Sequence, residues 1–182
     1  MYGIINKSME ELVTTNFGPE KWENVLKRSG IEIDFFLSNE AYDDSITYQL
    51  AGAIAAETDL PLEKVLFLFG EWWILKTTLE KYGGLLQSGG NNLKEFLVNL
   101  PAFHNRIMLI YPKLTPPEFK VSEITDNSIW VHYFSKRAGL KDFVHGLLSG
   151  LAKLFAAEAS IDLLQSRDEG QDHEIFKVSW KS

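Results

Sequence analysis

The 182-residue sequence contains no cysteine. That absence excludes disulfides, a cysteine zinc site, a thiol nucleophile, an all-cysteine iron–sulfur cluster, a thiolate-ligated haem and covalent Cys-x-x-Cys-His haem attachment. Any metal or cofactor has to rest on the four histidines, on carboxylates or on tyrosines. Basic charge is also short. The 18 Lys and Arg stand against 25 Asp and Glu, a net charge of −7, and no basic run offsets it. Such a surface repels phosphate, so nucleic acid is not an expected partner. Apolar runs are broken by charge before the ~20 residues a membrane helix needs, and no signal peptide opens the chain. A cytoplasmic location without membrane contact is the expectation. Repeats, low-complexity tracts and long linkers are missing too.

What is present fits an ordinary folded chain, 45% hydrophobic and 24% charged. This length buries roughly 70% of the surface of the unfolded chain, enough for a core without staples. Helical spacing comes first. Ser8 can cap a segment with Met9, Leu12 and Val13 that stops at Phe17-Gly18-Pro19. Trp22 to Arg28 forms a second segment, ending at Ser29-Gly30, and Asp44 to Glu57 a third. Pro61 opens a helix that is apolar nearly all round, from Val65 through Trp72, Trp73 and Leu75. Such a helix is buried on several sides or lines an apolar cavity. From Leu93 the pattern meets Pro101, where a kink or a new start is expected, and resumes through Ile107 to Tyr111.

After Pro112 strands appear, at Phe119 to Ile124 and Ser128 to Ser135 around an Asp126-Asn127 turn. An amphipathic helix from Leu140 to Ala159 follows, then strands Ile161 to Gln165 and Glu174 to Trp180. Helices first, then an antiparallel sheet with one inserted helix, predict an α+β fold. It is one domain over residues 1–182, with a helical N-terminal lobe over about 1–60. That lobe packs on a mixed lobe, about 61–182, with a four-stranded antiparallel sheet and helices.

Two places carry chemistry. His104 falls on the apolar line Leu100, His104, Ile107, Tyr111. It is either a core histidine bonded to a carbonyl or the axial ligand of a haem whose flat apolar body packs on that face. The second place is Tyr133 to Arg137. If the strand continues, Tyr133, Ser135 and Arg137 share one face, with His132, Phe134 and Lys136 on the other. Phenol, hydroxyl and guanidinium make a donor strip for an anion, or a solvated strand edge. His132, His145 and His173 read as structural.

The chain resembles the H-NOX family, the haem-nitric oxide/oxygen-binding domains of bacteria and of the haem subunit of soluble guanylate cyclase. The likeness lies in Met1-Tyr2-Gly3-Ile4-Ile5, Phe69-Gly70-Glu71-Trp72-Trp73, Phe103-His104-Asn105-Arg106-Ile107, Thr115-Pro116-Pro117, Tyr133-x-Ser135-x-Arg137, Gly146-Leu147-Leu148-Ser149-Gly150 and Asp172-His173. The resemblance implies a haem b (iron protoporphyrin IX) between the lobes, with His104 on the iron. Tyr133, Ser135 and Arg137 then clamp the propionates, and Pro117 presses on the porphyrin. Trp73, Ile5, Leu147 and Phe143 line the distal side. Oxygen-binding members place a tyrosine just before the Gly-Leu-x-x-Gly turn, where this chain has Phe143, flanked by Asp142 and Val144.

The resemblance therefore implies a nitric oxide sensor, competent for carbon monoxide, that excludes stable oxygen binding. The gas would weaken the bond to His104 and shift the helix that bears it relative to the N-terminal lobe. A chain of this length leaves no room for an output domain of its own, so the expected partner is a separate histidine kinase or cyclic-di-GMP enzyme, as for stand-alone bacterial members. The alternatives are an oxygen-binding member, a haem enzyme, which would want distal acid–base groups, and a haem-free adaptor in which His104 is ordinary packing.

Overall fold

A computed structural model describes residues 1–110 and 117–181, without the side chains of Met108 and Ile110. The readings at Tyr111, Pro112 and Thr115-Pro116 lie outside these residues. The chain enters through an extended Tyr2 that bridges to Ala41 and runs straight into α1, Gly3–Phe17. Ser8 is therefore not a cap. It sits buried in mid-helix, where its hydroxyl is satisfied sideways by Thr77 Oγ1 at 2.5 Å. Gly18 ends α1 with φ 90°, a conformation that glycine adopts without strain. Pro19 then opens α2, Pro19–Ser29. Helix α3, Asp44–Thr58, is capped by the Asp43 carboxylate, which accepts from Ser45 N at 2.8 Å.

Helix α4, Leu62–Trp72, passes without a break into a π-helical segment, Trp73–Thr78, and on into α5, Leu79–Gln87. Tyr82 interrupts α5 with φ −132° and ψ 23°. Helix α6, Leu93–Ile110, is a single element with Pro101 inside it. Strands β1, Glu118–Ser122, and β2, Ser128–Phe134, form a hairpin. After β2 comes α7, Lys141–Leu154. It stops five residues short of the spacing-based boundary at Ala159, because Ala156 turns the chain with φ 51° and Ala159 opens β3. Strands β3, Ala159–Gln165, and β4, Glu174–Trp180, complete an antiparallel sheet in the order β1-β2-β4-β3. The fold is α+β.

Two apolar clusters hold it. One joins α1, α2, α3 and α4 around Met9, Val25, Leu50 and Phe69. The other joins α6 and α7 to the sheet around Phe96, Leu97, Val131 and Phe176. Their meeting point is the crossing of α4 and α7. A Cβ on Gly70 would lie 2.2 Å from Phe143 O, and one on Gly146 would lie 2.0 Å from Phe67 O. Only glycine allows backbones this close, and the contact fixes Trp73 and Phe143 relative to one another.

Candidate functional site

A cavity of about 210 Å³ opens between the two clusters. Helix α6 contributes Phe96, Leu100, Phe103, His104 and Ile107, and the sheet contributes Phe119 and Tyr133. Ile4 and Ile5 of α1, Trp73, Ile74 and Thr78 of the π-helical segment, and Phe143 and Leu147 of α7 supply the rest of its apolar wall. Pro117 and Arg137 line it too. Of the nine residues singled out from the sequence, the structure brings eight to this one cavity: His104, Tyr133, Arg137, Pro117, Ile5, Trp73, Phe143 and Leu147. Ser135 does not line it.

The departure at Ser135 has a simple cause. Strand β2 ends at Phe134, so the period-two alternation does not extend to Arg137. Ser135 instead closes a turn, its hydroxyl accepting from Arg137 N at 3.1 Å. The alternation does hold inside the strand. Tyr133 is buried, while His132 and Phe134 face the other way and stack with His173.

His104 is placed by aromatic contact. Its ring lies 4.9 Å from that of Phe119, which lies 5.4 Å from that of its cross-strand partner Tyr133. A row of rings thus runs from α6 across β1 to β2. Nδ1 of His104 is buried and makes no hydrogen bond. Burial holds the imidazole's pKa down to about 4, so it is neutral at physiological pH. Neutral imidazole is the ligating form.

Arg137 is placed by charge. Asp44 at the start of α3 accepts from its Nε at 2.7 Å and its Nη2 at 3.3 Å. The Asp44 carboxylate also accepts from the Met1 nitrogen at 2.6 Å. Burial opposes its charge, but the bonds from Arg137 and Met1 outweigh it and hold the pKa below the ordinary range. A second guanidinium fixes the backbone. Arg167 donates to Ser135 O and Arg137 O at 2.7 Å each, and its Nε pairs with the buried Glu174 carboxylate at 2.8 and 3.0 Å. Tyr48 donates to Ala138 O at 2.9 Å. Tyr133 has a raised pKa, mainly through burial.

The other histidines are engaged elsewhere. His132 and His173 share a 2.9 Å contact between ring nitrogens on the outer sheet face, and His173 reaches Asp172 at 2.6 Å. His145 packs against Phe67 and Phe176. Among the described residues, no cluster of three or more His, Asp or Glu could hold a metal ion.

An apolar cavity lined by one neutral imidazole, a phenol and a guanidinium has the groups to take a flat, apolar, anion-tailed cofactor with a metal centre. The donor set fits a haem: a single nitrogen for the iron, and a cation for carboxylate tails. The comparisons with known proteins narrow the class. The Haem-NO-binding family matches residues 2–163. Soluble guanylate cyclase gcy-32 of Caenorhabditis elegans is 33% identical over 156 residues, covering 84% of this chain and 23% of that protein. An H-NOX protein from K. algicida, in the Fe(II) unliganded state, shares 27% identity, with a TM-score of 0.86 over 100% of this chain and 97% of that one. A mutant H-NOX protein from S. oneidensis superposes with a TM-score of 0.91 over 100% of this chain and 97% of that one; at 21% identity it speaks for the fold alone.

The chain belongs to the haem-NO-binding, or H-NOX, family of gas-sensing domains, whose members bind haem. It is a sensor domain rather than a catalytic one. The chain spans about a quarter of the length of the guanylate cyclases it matches. No helix among the described residues is long and apolar enough to cross a membrane.

Proposed function

We propose that the domain senses nitric oxide at a ferrous haem b ligated by His104. The observation that carries this reading is that the neutral imidazole and the Tyr133–Arg137 pair, 29 and 33 residues further along the chain, line one apolar cavity. If bound, the haem would supply a gas-binding iron, and His104 would hold that iron. The chain's residues do the rest. Tyr133 and Arg137 hold the carboxylate tails, with Ser135 fixing the turn that presents the guanidinium. Pro117 presses on the ring face.

Trp73, Ile5, Leu147 and Phe143 keep the gas side apolar. Bound oxygen gains from a hydrogen-bond donor and nitric oxide needs none. Phe143 has no hydroxyl, which favours nitric oxide and carbon monoxide over oxygen. One observation favours an oxygen-binding reading instead: the hydroxyl of Thr78, a residue lining this cavity, is buried with no partner, and it joins the Trp73 indole as a donor.

The His104 ring supports signal release. An imidazole whose far nitrogen meets no acceptor is a weaker base than a hydrogen-bonded one, so its hold on an iron would be the weaker for it. Loss of that bond in one state and its retention in the other supplies the differential affinity that a two-state shift requires. The output is a separate or attached signalling partner: a cyclase, a histidine kinase or a cyclic-di-GMP enzyme, in the cytoplasm of a bacterium.

Reconstitution with haem tests this. A Soret band that is lost in His104→Ala and restored by imidazole is expected, and nitric oxide should give a five-coordinate ferrous spectrum. A folded protein that takes up no haem overturns the reading in favour of an adaptor. Haem uptake with peroxide turnover favours an enzyme.

A further inference from the structure

We infer that the chain carries a second ligand site, in its helical N-terminal part, for an aliphatic monocarboxylate of medium length. A second cavity of about 260 Å³ lies among α1, α3, α4 and the π-helical segment. It shares no lining residue with the first. Its wall is largely aliphatic, from Leu12, Val13, Ile54, Val65, Leu68 and Leu75, with the half-exposed Phe17 beside them.

The polar groups around it are nearly all spoken for. The Asn16 amide donates to Leu12 O at 2.8 Å and the Thr58 hydroxyl to Ile54 O at 2.7 Å. The Glu71 carboxylate accepts from Ser149 at 2.7 Å and pairs with Lys153 at 2.5 Å. One donor is left: the exposed Lys76 ammonium makes no ion pair among the described residues.

Apolar walls with one cation at the surface select a ligand with an apolar body and a singly charged acceptor head. An aliphatic carboxylate meets both. A more highly charged head is disfavoured by the protein's net charge of −7. The volume sets the tail length. It exceeds the ~150 Å³ cavity that accommodates benzene and falls below the ~300 Å³ at which drug-sized sites begin.

The π-helical segment is a wall common to both cavities. Trp73, Ile74 and Thr78 line the first, and Leu75 and Lys76, with Trp72 at the end of α4, line the second. π-Helical turns inside α-helices often mark functional sites. A ligand that moves Trp72 moves its neighbour Trp73, so occupancy of the second cavity should alter gas dissociation from the first. This coupling rests on the haem reading; the binding does not.

The test is titration of the haem-loaded protein with octanoate, followed by calorimetry and by ligand-observed NMR. One equivalent should bind. Lys76→Ala, or replacing octanoate by octanol, should each weaken binding about tenfold, the value of one lost charged contact. Leu68→Trp, which fills the cavity, should abolish binding; Leu75→Phe serves if that variant does not fold. Nitric oxide dissociation should change with octanoate in the parent and not in the filled variant. No binding at millimolar octanoate, or binding indifferent to both filling substitutions, overturns the site, and equal binding of octanol overturns the carboxylate assignment. Octanoate binding that persists in His104→Ala protein lacking a Soret band upholds the second site while the haem reading fails.

Discussion

The two ends of the principal cavity are held in opposite ways. At the α6 end, His104 rests on the ring of Phe119, and its Nδ1 has no hydrogen-bond partner among the described residues. At the β2 end, Arg137 is fixed through its side chain by Asp44 and through its carbonyl by Arg167, which is anchored on buried Glu174. Packing contacts are short-ranged and undirected, whereas charge-assisted bonds fix direction as well as distance. One end is therefore free to shift its ring by small amounts, and the other is over-determined. On the proposed reading, this asymmetry would suit a sensor, with the carboxylate tails held at one end and the imidazole able to yield at the other.

The comparison can be broken most forcefully at Arg167. Arg167→Ala strands Glu174, whose side chain is 3% exposed, and frees two carbonyls. A loss of about 3–5 kcal/mol is expected in urea unfolding, as for the breaking of a buried pair. A loss below 1 kcal/mol would mean that the clamp end is not over-determined.

Next comes Arg137→Ala. The haem dissociation rate should rise by about tenfold or more, the cost of a charge-assisted contact, while the haem-free protein loses no more than the ~1 kcal/mol of the Asp44 pair. Equal losses of both would point to a fold role for Arg137.

Asp44→Asn sharpens the electrostatic side. Asp44 has a folded pKa below its unfolded value of about 3.9. Its charged form thus stabilises the protein fully above that unfolded value, and the stabilisation is lost as pH falls through the folded one. The variant should be about 1 kcal/mol less stable at pH 7, a figure discounted because the side chain is 40% exposed. The difference from the parent should vanish in acid below the folded pKa. Stability profiles of both proteins from pH 7 to pH 2 check this.

The smallest effect is expected at Thr78. Thr78→Val removes a buried hydroxyl that has no partner, and should leave stability unchanged or raise it by about 0.5–1 kcal/mol. In the haem-loaded protein the carbon monoxide stretch reports whether that hydroxyl donated to bound gas. An unmoved band leaves the gas side apolar.

Local signals explain which parts of the fold were legible. Gly18 and Gly30 punctuate helices by rules that act within a few residues, and α2, α3 and the four strands stand within three residues of where spacing puts them. Ser8 misled because a serine before an apolar run looks the same whether it caps a helix or meets Thr77, a partner 69 residues away. The reading of β2 ran one residue long and that of α7 five, since nothing local shows where Arg167 pulls the chain into a turn or where Ala156 adopts a left-handed conformation.

The same divide runs through the candidate site. Its chemically distinctive members, His104, Tyr133 and Arg137, could be singled out by residue type and pattern. Asp44, Arg167 and Glu174 could not, because a carboxylate or guanidinium on a helix or strand is ordinary until its distant partner is known. The Trp72–Trp73 pair was legible as apolar, but not as facing two cavities, since the π-helical segment that divides them follows from tertiary packing.

The glycine-on-glycine crossing of α4 and α7 has a mechanical consequence. With Gly146 Cα and Gly70 Cα drawn against opposing backbone, the two helices have no side-chain cushion to slide upon. Backbone contact of this kind would resist translation of one helix along the other more than rotation about the contact. Displacement of His104 on α6 would then turn into a swing of the N-terminal helices about this point, and a methyl group added at Gly70 should force the helices apart and shift Phe143 and Leu147 with them.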